Sequence, residues 1–134
     1  MAKDYKIFIS HSWTYHDDLV SLQKLLNSRG YFNVEYLEAT REVPINSENA
    51  VYVKQALKKK ILNAHIVLAI AAVYATHSDW MTWELETAYA NSIPIIGVAP
   101  WGQQRVSVVV QQYAKMVVRW NTESIVDAIR TYAI

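Results

Sequence analysis

The chain has 134 residues, 52% of them apolar and 19% charged, a balance that supports one folded domain with its own core and excludes a disordered segment. Thirteen Lys and Arg against twelve Asp and Glu leave a formal charge of +1, without the basic excess that general nucleic-acid binding requires. The absence of cysteine removes disulfides, thiolate metal sites and cysteine nucleophiles together, and fits a reducing, cytoplasmic compartment.

At the N-terminus, MAKDYKIFIS carries charges where a signal peptide needs an apolar run, so no secretory signal is expected. Residues 5–10 (YKIFIS) read as a buried strand ended by the polar His11 and Ser12. A helix is expected over 15–28, where Leu19, Leu22, Leu25 and Leu26 recur at helical spacing and Gly30 supplies a C-terminal stop. Residues 32–37 form a second strand, less apolar and therefore suited to an edge, and a polar loop over 38–49 follows. The next helix, 50–62, has Val53, Ala56, Leu57 and Ile61 as its apolar positions. Its Lys58, Lys59 and Lys60 read as a solvated face near the negative end of the dipole more readily than as a phosphate patch.

Residues 65–72 (HIVLAIAA) are the most continuously apolar strand and belong at the centre of a sheet. The longest apolar stretch, 66–74, is about half of the roughly 20 residues that a membrane span requires, so no membrane association is expected. Ser78 or Asp79 caps a helix that runs to about residue 91. A fourth strand over 93–99, a short helix over 106–113, a fifth strand over 115–120 and a last helix over 122–132, capped by Thr122, complete the chain. Strand and helix thus alternate five times along one domain, 1–134. Right-handed crossovers then give an α/β flavodoxin-like three-layer fold: a five-stranded parallel sheet of order 2-1-3-4-5 with helices on both faces. In that order the chain reverses between strands 1 and 3, and ligands bind beyond the carboxyl ends of strands at such a point. The segments meeting there are 11–16 and 74–79.

These segments restrict the chemistry. Strand 1 ends in Ser-His-Ser and strand 3 in Ala-Ala, so the acidic cluster of a phosphorylatable receiver is missing. Neither G-x-G-x-x-G nor G-x-x-x-x-G-K-[ST] occurs, and three glycines in all cannot build either phosphate cradle. The four histidines, His11, His16, His65 and His77, lack metal-ligand spacing, and no nucleophile elbow accompanies the serines. No metal and no cofactor are expected. The segment 77–90 (HSDWMTWELETAYA) carries more: Trp80 and Glu84, four residues apart, share a helix face near its amino end. A carboxylate beside an aromatic can meet a developing positive charge, and the aromatic can stack a flat base. On spacing alone the simpler reading has Trp80 and Trp83 packing the helix and Glu84 as an ordinary first-turn acid favoured by the dipole.

Two of these segments resemble the Toll/interleukin-1 receptor (TIR) family, and in particular compact bacterial TIR-like proteins, some of which serve in antiphage defence of the Thoeris kind. KIFISHS is similar to the family's first box, F-[IL]-S-[HYF]-S, and SDWMTWELETA (78–88) to its second, S-x-W-x-x-x-E-[LI]-x-x-A. IPIIGVAPW follows where the family has its fourth strand. The resemblance implies that Glu84 is the glutamate supporting cleavage of the nicotinamide–ribose bond of NAD, with NAD as substrate. It implies further that the first-box residues Ser10, His11, Ser12 and Trp13 contact the nucleotide. Trp80 stands at the signature tryptophan and Glu38 is a candidate ribose contact, while Arg41, in the loop after strand 2, is a candidate replacement for the positive charge of the arginines that catalytic relatives often carry just after the first box. Here those positions are Ser12 and Trp13. The family's other role is a non-catalytic interaction module assembling through TIR–TIR contacts, the alternative function for this chain. Either role implies self-association and a separately encoded effector or partner.

Overall fold

Each apolar run becomes a strand and each amphipathic stretch a helix in the computed structural model, which describes residues 4–10, 16–30, 32–37, 48, 50–71, 79–99 and 108–134. In chain order the elements are β1 (Asp4–Ser10), α1 (His16–Asn27), β2 (Asn33–Leu37), α2 (Ala50–Asn63) and β3 (Ile66–Ile70). They continue with α3 (Asp79–Ala90), β4 (Ile95–Ala99), α4 (Val108–Tyr113), β5 (Met116–Arg119) and α5 (Thr122–Tyr132). All four strand pairings are parallel and the order is β2-β1-β3-β4-β5, the doubly wound arrangement expected from the alternation.

Every residue of β3 and of β4 is buried, as central parallel strands covered on both faces must be. The two faces follow the two-residue period of the strands. On one, Ile7, Ile9, Leu68 and Val98 pack beneath Leu22 and Leu26 of α1 and Ile125, Val126 and Ile129 of α5. On the other, Phe8, Val67, Ala69 and Ile95 pack beneath Leu57 and Ile61 of α2, Met81, Leu85 and Ala88 of α3, and Val110 of α4. Burying a side chain of Leu, Ile or Phe size stabilises by about 1.5–3 kcal/mol, so these two layers carry most of the fold's driving force. The edges are more polar: β5 buries only Val118 and exposes Met116 and Arg119.

Several local expectations need correction. Ala56 is exposed, because α2 buries Ala50, Leu57 and Ile61 and Ala56 falls outside that stripe. The cap of α5 is Asn121 rather than Thr122: Asn121 has the extended φ of −144° and ψ of 126° of an N-cap, and its side chain accepts a hydrogen bond from the Ser124 N–H. The fourth strand begins at Ile95, two residues later than expected, since Pro94 has no N–H to give to a ladder. Among the described residues no helix is long and apolar enough to cross a membrane.

Candidate active site

The carboxyl end of β1 holds the centre of the site. Ser10, its last residue, pairs with Ala69 of β3, at the strand pair where the direction of winding reverses. Side chains alternate along a strand, so Ser10 shares a face with Phe8, the face covered by α2 and α3. A hydroxyl therefore occupies a place in the apolar layer beneath α3.

From the other side α3 supplies its partner. Met81, Leu85 and Ala88, spaced i, i+4 and i+7, are fully buried and press the helix onto the sheet. Glu84 adjoins Leu85 on this inward side and is itself 0% exposed. The Ser10 hydroxyl donates to Glu84 Oε1 at 2.7 Å, the ordinary length for an O–H bonded to a carboxylate. Oε2 is buried as well. Among the described residues, Ser10 and Glu84 are the polar pair excluded from water. The reading of Glu84 as an ordinary first-turn acid is therefore wrong: it is the sixth residue of α3, beyond the first turn, and the interior rather than solvent surrounds it. Burying a carboxylate is costly unless donors compensate. Among the described residues the fold accepts that cost in one place.

The other expected site residues divide. Trp80 is half-buried and packs its ring edge-on against Trp83, with centroids 6.0 Å apart and planes at 86°, and both rings lie against the α2–α3 core. Packing is thus a role Trp80 demonstrably has. His11, Ser12, Trp13, Glu38 and Arg41 lie outside the described residues. His65 sits at the opposite, amino end of the sheet. Its Nδ1 accepts the Lys6 N–H at 2.9 Å while its own N–H donates to the Lys6 carbonyl at 2.8 Å, so it joins β1 to the start of β3. Among the described residues no three acidic or histidine side chains gather as metal ligands would. What sequence reasoning missed is the direct contact between Ser10 and Glu84. Strand alternation placed Ser10 on the Phe8 face, but nothing in the local pattern gave the position of α3 above it.

An all-parallel sheet of this order, with a buried helix glutamate at its switch point and both sequence boxes in place, defines a TIR-type domain. The sequence profile of the TIR-like domain of the Thoeris protein ThsB matches residues 8–105, and the chain belongs to that family, which is associated with antiphage defence. No curated protein is significantly similar in sequence.

Solved structures repeat the fold. The 2-deoxyribosyltransferase of Bacillus psychrosaccharolyticus superposes with a TM-score of 0.61 at 18% identity, over 90% of this chain and 89% of that one. The CMP N-glycosidase BcmB of Clostridium botulinum gives 0.55 at 11% identity, over 93% and 98%. The TIR domains of the activated Roq1 resistosome give 0.52 at 14% identity, over 72% and 58%. At these identities the likeness is one of architecture.

Proposed function

We propose that this TIR domain cleaves NAD at the nicotinamide–ribose bond, with Glu84 as the catalytic carboxylate, and so produces an ADP-ribose-derived signal in antiphage defence. The observation carrying this reading is the buried Glu84, bonded by Ser10 at the carboxyl end of β1. The chemistry suits a single carboxylate. Glycosidases ordinarily need a second one to protonate the leaving group. In NAD the nicotinamide ring is already cationic. When the C1′–N bond breaks, both electrons pass to the ring nitrogen, and nicotinamide departs neutral without taking a proton. The positive charge moves onto the ribose as an oxocarbenium-like centre. A carboxylate held in a water-poor setting stabilises that charge far more than one in bulk water does. Water, a nitrogen of the adenine or another nucleophile then captures C1′, giving a linear, cyclic or conjugated product for a separately encoded effector. The reading gains support from the architectural neighbours named for deoxyribosyl transfer and for N-glycosidase action.

The complete burial of Glu84 favours a second reading, in which the Ser10–Glu84 pair is structural and the domain acts through assembly with other TIR surfaces. Incubating the purified, concentrated chain with NAD and separating the products by chromatography distinguishes the two. Nicotinamide release that falls about 100- to 1,000-fold in Glu84→Ala supports catalysis. No release under any activating condition, or release indifferent to the substitution, leaves the assembly reading.

A further inference from the structure

We infer that Ser10 is a positioning residue for Glu84 and not a contact for the substrate; the inference rests on the reading of Glu84 as the catalytic carboxylate. The two side chains come from elements 74 positions apart and meet at 2.7 Å, both fully buried. A serine hydroxyl has one proton to donate, and this one is directed at Oε1. Ser10 therefore has no second donor for a ribose hydroxyl or a phosphate while the contact holds.

The surroundings make the contact rigid. Ser10 lies in a strand paired with β3, opposite Ala69, which is also fully buried and has the smallest side chain of that strand. Glu84 is fixed at its Cα by the buried Met81 and Leu85 on either side of it. A glutamate has three side-chain torsions to order, and the bond to Ser10 restrains the last of them by tying Oε1 to the strand. The carboxylate plane is set relative to the sheet before any substrate arrives. Such a bond also favours the ionised over the protonated acid, because a hydroxyl donor stabilises the charged form. Ser10 thus serves the reaction through Glu84, by orienting it and by opposing the effect of burial, which disfavours the ionised form.

The test uses the whole chain as wild type, Ser10→Ala and Ser10→Thr, each checked for folding by circular dichroism. The carboxyl of Glu84 is followed by carbon NMR on glutamate-labelled protein and assigned by its loss in Glu84→Gln. In Ser10→Ala the titration midpoint of this carboxyl should rise by about one pH unit, the equivalent of one lost charge-assisted hydrogen bond. Nicotinamide release should lose roughly 10- to 100-fold in kcat while KM stays within about twofold. Ser10→Thr, which returns a hydroxyl, should bring both quantities back toward wild type. A midpoint unmoved in folded Ser10→Ala overturns the inference, as does a raised KM with kcat preserved. A wild-type chain that releases no nicotinamide sinks the NAD reading instead, and the titration still decides whether Ser10 controls Glu84.

Discussion

At Gly97 in β4 an added methyl group would stand 2.7 Å from Val110 Cγ1 and 2.9 Å from Val117 Cγ2. The side chain is absent so that α4 can lie close on the sheet, and both valines are branched at Cβ and cannot swing aside easily. Gly97→Ala should cost about 1–3 kcal/mol of stability through overpacking, read as a lower urea midpoint; an unchanged midpoint would mean that α4 moves away freely. Tyr36 shows a different effect of burial. Its phenol, donating to the Gln23 carbonyl at 3.4 Å, is pushed up to about 12 from the usual 10.0 by loss of solvent. Between those values the folded chain holds a proton that the unfolded chain has released. Its contribution is therefore whole below about pH 10 and is lost as pH rises toward 12. Thermal midpoints should fall less steeply from about pH 10 to about pH 12 in Tyr36→Phe than in wild type, and equal slopes would contradict the assignment. Glu84 itself was readable only in part. The second box marked it, yet spacing alone made it an ordinary first-turn acid, because its burial follows from how α3 packs on the sheet, where its partner Ser10 lies 74 positions away in sequence.

Helix ends were the least legible elements. The end of α3 is a Schellman turn: the Ile93 N–H donates to the Ala88 carbonyl at 2.9 Å and the Ser92 N–H to the Tyr89 carbonyl at 3.2 Å. The second donor, Ser92, adopts a φ of 60°, the left-handed conformation that glycine takes without strain. Sequence inspection expects a helix stop near Gly30 because glycine announces it, whereas a serine in the left-handed conformation gives no signal. Ser92→Gly should raise stability by up to about 1 kcal/mol, with relief of left-handed strain exceeding the added freedom of the unfolded chain; a lower denaturation midpoint would contradict that balance. At α5, Asn121 and Thr122 are both acceptable caps by residue type, and only the extended backbone of Asn121 and its bond to Ser124 separate them. Asn121→Ala should cost about 1 kcal/mol, and Thr122→Ala should cost less, as paired chemical-denaturation curves would reveal. The exposed position of Ala56 on α2 has a similar origin, since an alanine fits either face of a helix and does not betray which one it occupies.

Over the whole molecule the pattern was far more legible. Five apolar runs separated by amphipathic stretches leave few topologies once crossovers are right-handed, and the continuous apolarity of β3 assigns it to the interior. The order β2-β1-β3-β4-β5 then places the carboxyl end of β1 at the switch point, where Ser10 meets Glu84. Among the described acidic side chains, the fold thus singles out Glu84 by removing it from water. The most direct measurement of its role is the rate of nicotinamide release from NAD by the concentrated chain, compared between wild type and a folded Glu84→Gln variant. Gln preserves the shape and can still accept from Ser10, but lacks the charge. The expected result is release by wild type and a loss of about 100-fold or more in Glu84→Gln. Equal rates in the two proteins, or no release by either, would contradict the assignment of Glu84 as the catalytic carboxylate.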